Sequence, residues 1–132
     1  MFQRLDHIAI VTDDTEAALR VWRDRYGLPV LYSEDVNGGT VRLTHLDMGN
    51  AHLQIVQPLT DDHPLQCWLR EHGTGLHHFC LGVEDIGEAL EWTSERALAA
   101  PDAQPHQAPK DKRALFLDKT ASQGVQVELT GR

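Results

Sequence analysis

LDHIAIVTDDTEAALRVWRDR (residues 5–25) falls on LHHFCLGVEDIGEALEWTSER (76–96) when the chain is slid by 71 residues, and six of the 21 pairs are identical. The identities are Leu5/Leu76, His7/His78, Asp14/Asp85, Ala18/Ala89, Leu19/Leu90 and Arg25/Arg96. Composition alone supplies roughly one or two. Most remaining pairs keep apolar against apolar. An offset of 74 lays HLQIV (52–56) over QVELT (126–130) and sets Gln54 opposite Glu128. Self-similarity of this kind fixes architecture before any single element does. The chain reads as two copies of one unit.

Each copy reads as a strand, a helix and then more strands. Leu5–Val11 is short, apolar and rich in β-branched residues, and the following TDD supplies side-chain oxygens for the free N–H groups of a helix start. The spacing predicts a helix over 14–26 that buries Ala18, Leu19, Trp22 and Tyr26, ended by Gly27 and Pro29. A second helix over 85–98 repeats the pattern with Ile86, Ala89, Leu90 and Thr93. After the first helix, VLYSEDV, TVRLTHLDM and AHLQIVQPL are divided by turns at Asn37-Gly38-Gly39 and Gly49-Asn50, which predicts a three-stranded meander. Pro64 near its first turn and Gly73 past its end bracket a linking helix over 64–72. The tract 99–113, with Pro101, Pro105 and Pro109, reads as a covering loop, and RALFLD and VQVELT complete the strands.

The chain has 132 residues, 12 Lys+Arg against 20 Asp+Glu and a formal net charge of -8. That length suits one domain, since roughly 100–200 residues per domain is usual. An acidic surface argues against nucleic acid or an anionic membrane as partner, because both reward basic residues. No apolar run approaches the ~20 residues that span a bilayer, and the opening MFQRLDHIAIVTDD carries no leader pattern, so the expected compartment is the cytoplasm. Cys67 and Cys80 lack metal-site or disulfide spacing and read as reduced thiols, Cys80 as a small strand hydrophobe.

Eight histidines are the compositional excess. On a strand, alternate side chains face opposite ways, so His7 shares a face with Ala9 and Val11, His78 with Cys80 and Gly82, Gln54 with His52 and Val56, and Glu128 with Gln126 and Thr130. A single strand histidine is ordinarily just satisfied or exposed, and that reading is taken for His45, His52, His63, His72 and His106. The register favours His78 over its neighbour His77. Modules packed about an approximate two-fold axis would gather His7, Gln54, His78 and Glu128 around one point. Two imidazoles, a carboxylate and an amide oxygen suit one first-row divalent ion with two positions left open.

LDHIAIV, GLHHFCLGV, HLQIVQPL, DDHPLQCWLREHGTGLHH and VQVELT together resemble the vicinal oxygen chelate superfamily of glyoxalases, bleomycin-resistance proteins and extradiol dioxygenases, over nearly the whole chain. Within it, QIVQP and the run from Asp61 to His78 are most similar to the methylmalonyl-CoA epimerase branch. The resemblance implies an α+β fold of two paired βαβββ modules forming a curled mixed sheet around a metal site. A single domain over 1–132 would hold module one at about 4–59, the linking helix at about 61–73 and module two at about 75–131. It also implies His7, Gln54, His78 and Glu128 as ligands of one divalent ion (Co2+, Mn2+, Ni2+ or Zn2+). Glyoxalases usually carry Glu at the position of Gln54, and extradiol dioxygenases use two His and one Glu.

The implied reaction removes a proton beside the carbonyl of an acyl-CoA thioester, with Glu128 as ligand and as one proton carrier, in a protein that is expected to be a homodimer. Arg42 stands where some members carry a Glu, and could meet a substrate carboxylate or phosphate. Asp118-Lys119-Thr120 replaces a His-Pro-Lys stretch, and the basic residues Lys110, Lys112 and Arg113 read as a solvated turn. A glyoxalase-like lyase, an Fe(II) dioxygenase built on His7, His78 and Glu128, and a non-catalytic small-molecule binder are the alternatives.

Overall fold

The computed structural model describes residues 1–132, which form two compact units, His7–His77 and Met1–Asp6 with His78–Arg132. Strand β1 (Arg4–Val11) enters the first of these at His7, followed by helix α1 (Thr15–Leu19), strands β2 (Val30–Val36), β3 (Val41–Asp47) and β4 (His52–Pro58), and helix α2 (Pro64–His72). The strands lie in the order β2-β3-β4-β1, antiparallel except for the parallel pair β4 and β1. This is the meander expected from the turn residues, with positive φ at Asn37, Gly38 and Gly39.

Both faces of this sheet are covered. Ile10, Leu46, Leu53 and Ile55 pack with Ala18 and Leu19 of α1. On the other face Ala9, Val11, Val36, Val41, Leu43 and Val56 pack against Leu65, Trp68 and Leu69 of α2. Burial of each large side chain contributes about 1.5–3 kcal/mol. Helix α1 starts where the Asp14 side chain accepts from the Ala17 N–H at 3.1 Å, and Thr15 donates its N–H and its hydroxyl to the Gln57 side-chain oxygen of β4 at 3.0 and 2.7 Å.

The helix departs from the regular spiral expected over 14–26. From Arg20 to Arg25 it widens into a π-helical segment in which the Tyr26 N–H donates to the Val21 carbonyl, five residues back, at 3.0 Å. The wider turn rotates the residues beyond it. Trp22 stays against the core, but Tyr26, expected on the buried face, is 67% exposed and stacks on Trp22 with ring centroids 4.7 Å apart.

In the second unit, strand β5 (Gly75–Gly82) continues from His78 into helix α3 (Ile86–Glu95) and strands β6 (His106–Gln107), β7 (Arg113–Phe116) and β8 (Val127–Gly131). The order is β5-β8-β7-β6, with β5 and β8 parallel and the others antiparallel. Helix α3 buries Ile86, Ala89 and Thr93, the face that its spacing predicts. Ile86 and Ala89 lie among Val83, Leu115, Leu117, Val127 and Leu129. It stops short of residue 98 because Ala97 takes a left-handed φ of 56°. The Pro-rich tract is not all loop: His106 and Gln107 form β6 and pair with Ala114 and Arg113.

The duplicated sequence is therefore a duplicated topology. Each unit runs strand, helix, three strands, with its last strand parallel to its first. The fold is α+β, and no helix is long and apolar enough to cross a membrane.

Candidate functional site

Register positions the polar residues. In one unit Ala9 of β1 lies opposite Gln54 of β4, and in the other Cys80 of β5 lies opposite Glu128 of β8. Ala9 and Cys80 are the same repeat position, and His7 and His78 each stand two residues before them. Each unit thus presents one imidazole and one oxygen-bearing side chain on one face, a ladder step apart.

In the second unit this pair meets. His78 Nε2 lies 3.3 Å from Glu128 Oε1, with both side chains buried. The other carboxylate oxygen, Oε2, lies 3.5 Å from His106 Nε2. Phe116 holds both rings, edge-on to His78 (5.1 Å, 89°) and stacked on His106 (5.2 Å, 15°). Two imidazoles thus flank one buried carboxylate. His106 was not expected here; the two-residue strand β6 brings it in, and so short a strand leaves no periodic trace in the sequence.

In the first unit His7, His45 and Gln54 are 3%, 3% and 4% exposed, so all three are buried. His45 of β3 lies directly opposite Gln54 and joins the two expected residues. Its Nε2 is 3.0 Å from the Gln54 amide nitrogen, and its ring meets the His7 ring edge-on at 5.4 Å. Its Nδ1 is 2.9 Å from His52 Nδ1, and Tyr32 stacks on it at 4.7 Å. The sequence signal for it is the Gly49-Asn50 turn, which folds β3 onto β4 with His45 opposite Gln54.

Other expected residues fall elsewhere. Arg42 lies opposite Gln57, on the face away from Gln54, and its guanidinium donates to both oxygens of Asp35 at 2.9 and 3.2 Å. That bidentate bond holds the Asp35 carboxyl below its usual range, so Arg42 is bound to this chain's own carboxylate. His77 turns to Trp68 (5.1 Å, 76°). Cys80 is fully buried, and burial followed by the Glu128 charge pushes its thiol far up, which keeps it protonated. His63 caps α2 by accepting from the Leu65 N–H at 3.1 Å, and His72 donates from Nδ1 to the Trp68 carbonyl at 3.0 Å. Asp118 accepts from the Thr120 N–H at 3.0 Å inside a turn.

Residues 6–116 match the family model described as the glyoxalase/bleomycin resistance protein/dioxygenase superfamily. The chain belongs to this superfamily. Among the proteins that it is similar to, the uncharacterized protein YqjC of Bacillus subtilis is 31% identical over 126 residues, covering 96% of this chain and 90% of its own. The ethylmalonyl-CoA/methylmalonyl-CoA epimerase of Cereibacter sphaeroides is 30% identical over 131 residues, covering 98% of each chain. A solved structure of a Streptomyces coelicolor methylmalonyl-CoA epimerase variant with 2-nitronate-propionyl-CoA superposes with a TM-score of 0.88 at 26% identity, covering 99% of this chain and 98% of that one.

Proposed function

We propose that this superfamily member is an epimerase of a 2-carboxyacyl-CoA thioester such as methylmalonyl-CoA. The observation that carries the reading is end-to-end likeness to the Cereibacter sphaeroides enzyme, 30% identity with 98% of each chain covered. His7, Gln54, His78 and Glu128 would hold one divalent ion (Co2+, Mn2+, Ni2+ or Zn2+). The donor spacing fits: two ligands about 2.1 Å from one ion at right angles sit about 3 Å apart, close to the 3.3 Å between His78 Nε2 and Glu128 Oε1. The matching places of His7 with Gln54 and of His78 with Glu128 in the two units support the same set. When bound, such an ion supplies positive charge to offset the charge that develops on the thioester oxygen as the α-proton leaves.

Glu128 is one of the two proton carriers that inversion at the α-carbon requires in this reading. Its carboxylate is buried, and the proton that it takes from carbon would exchange with solvent before the return step. His78 and His106 face its two oxygens and fix their direction. The Phe116 ring locks both imidazoles in turn. Incubation with methylmalonyl-CoA in deuterated water, with a divalent ion supplied, is expected to replace the α-proton by deuterium. Glu128→Gln is expected to slow exchange by about 10²–10⁴-fold. Undiminished exchange in Glu128→Gln would remove Glu128 from the chemistry. Absence of exchange across a panel of 2-carboxyacyl-CoA esters would overturn the substrate class, and turnover of a glutathione hemithioacetal or oxygen uptake with a catechol would replace it.

A further inference from the structure

We propose that His45 is the positioning residue that decides which end of the Gln54 amide faces an ion, through a fixed chain of protons along His52, His45 and Gln54. The proposal rests on Gln54 being a ligand. An amide used as a ligand has an ambiguity that a carboxylate lacks: one end is an acceptor oxygen, the other an NH2 that only donates. Turned the wrong way, Gln54 would present N–H groups to a cation. Something must hold it.

The hydrogen-bond geometry supplies the holder. The Gln54 nitrogen Nε2 lies 3.0 Å from His45 Nε2, and an amide nitrogen can only donate there. His45 Nε2 must therefore be the bare, accepting nitrogen of a neutral ring. The ring's single proton is then on Nδ1, where it donates to His52 Nδ1 at 2.9 Å. That bond in turn requires His52 to carry its own proton on Nε2. With these protons in place, the amide nitrogen is occupied by His45 and the oxygen Oε1 points the other way. Reversing the chain, so that His45 carries its proton on Nε2, would demand the amide oxygen where the nitrogen now stands.

The imidazole that sets this choice is itself immobilised. His45 is 3% exposed and lies directly opposite both Tyr32 and Gln54 in the sheet. Tyr32 stacks on one face of it (4.7 Å, 16°), while His52 and His7 meet it edge-on at 5.2 and 5.4 Å. A flip of the ring would break both nitrogen bonds together. His45 thereby holds an orientation that Gln54, with a freely rotating terminal amide, cannot hold alone.

The test is a double-variant comparison of Mn2+ dissociation constants, measured by titration calorimetry on the full chain. His45→Leu is expected to weaken Mn2+ binding by about 10–100-fold, the usual loss when the partner of a metal-binding side chain is removed. In a Gln54→Glu background, where either carboxylate oxygen serves, the same His45→Leu change is expected to cost less than about threefold. Equal losses in the two backgrounds would reduce His45 to packing, and no loss in either would overturn the proposal. Gln54→Ala with unchanged affinity would instead overturn Gln54 as a ligand. Independently of any variant, nitrogen-15 NMR of the metal-free protein is expected to find the His45 proton on Nδ1. A proton on Nε2 would refute the chain of donors.

Discussion

Gly131→Ala tests how tightly the strand that carries Glu128 is seated. A methyl group added at Gly131 would lie 2.5 Å from the Val83 carbonyl oxygen, 3.1 Å from Val83 Cγ2 and 3.2 Å from the Glu84 carbonyl oxygen. Carbon to oxygen contact needs more than 3 Å, and two of the three obstacles are backbone. Relief therefore requires the end of β8 to move by about 0.5–1 Å, against bonds that run from Val83 N–H to the Thr130 carbonyl at 2.9 Å and from Arg132 N–H to the Glu84 carbonyl at 3.1 Å. Overpacking that forces backbone shifts costs about 1–3 kcal/mol, and the double clash places Gly131→Ala toward the upper end. At this chain length that lowers the melting temperature by about 6–12 °C.

Gly82→Ala is the internal control. Its added methyl group would also come within 2.5 Å of an atom, but that atom belongs to the Arg4 side chain, whose guanidinium is half-exposed and paired with Asp6. The arginine can swing away, and a surface ion pair is worth about 0–1 kcal/mol. Urea melts of the two variants are expected to separate by at least about 1 kcal/mol, with Gly131→Ala the weaker. Equal stability of the two would refute the reasoning that backbone obstacles and flexible side chains differ.

Gln57→Leu should uncap the first helix, since Thr15 loses the acceptor of both its N–H and its hydroxyl; denaturant melts are expected to lose about 1–3 kcal/mol. Stability is also expected to fall as pH drops below about 6.5: burial holds His63 below the usual histidine value of 6.5, so the unfolded chain takes up that proton first. Protonation also removes the Nδ1 acceptor that caps α2. His63→Asn keeps a capping oxygen without the titration, and its melting temperature between pH 7 and pH 5 should decline less than that of the parent chain.

The two-copy architecture was legible because it is written twice. The 71-residue offset pairs Ala9 with Cys80, and the observed ladders set Gln54 and Glu128 opposite those same two residues. Strand alternation likewise sets His78 beside Glu128 and turns His77 to Trp68. What escaped depends on geometry with no local sequence signal. The π-helical widening after Leu19 turned Tyr26 outward although its spacing matched a buried face. The short pairing of His106 with Ala114 delivered an imidazole to Glu128 from a tract read as loop. Arg42 was placed by family position alone, and one residue of strand parity puts it on the far side of the sheet from Gln54.

Metal content measured by elemental mass spectrometry on the parent chain, His7→Ala and Glu128→Ala bears most directly on the proposed cage. The account predicts one divalent ion per parent chain after loading and dialysis, and a sharp loss from both variants, one drawn from each repeat. Full occupancy in both variants would contradict it.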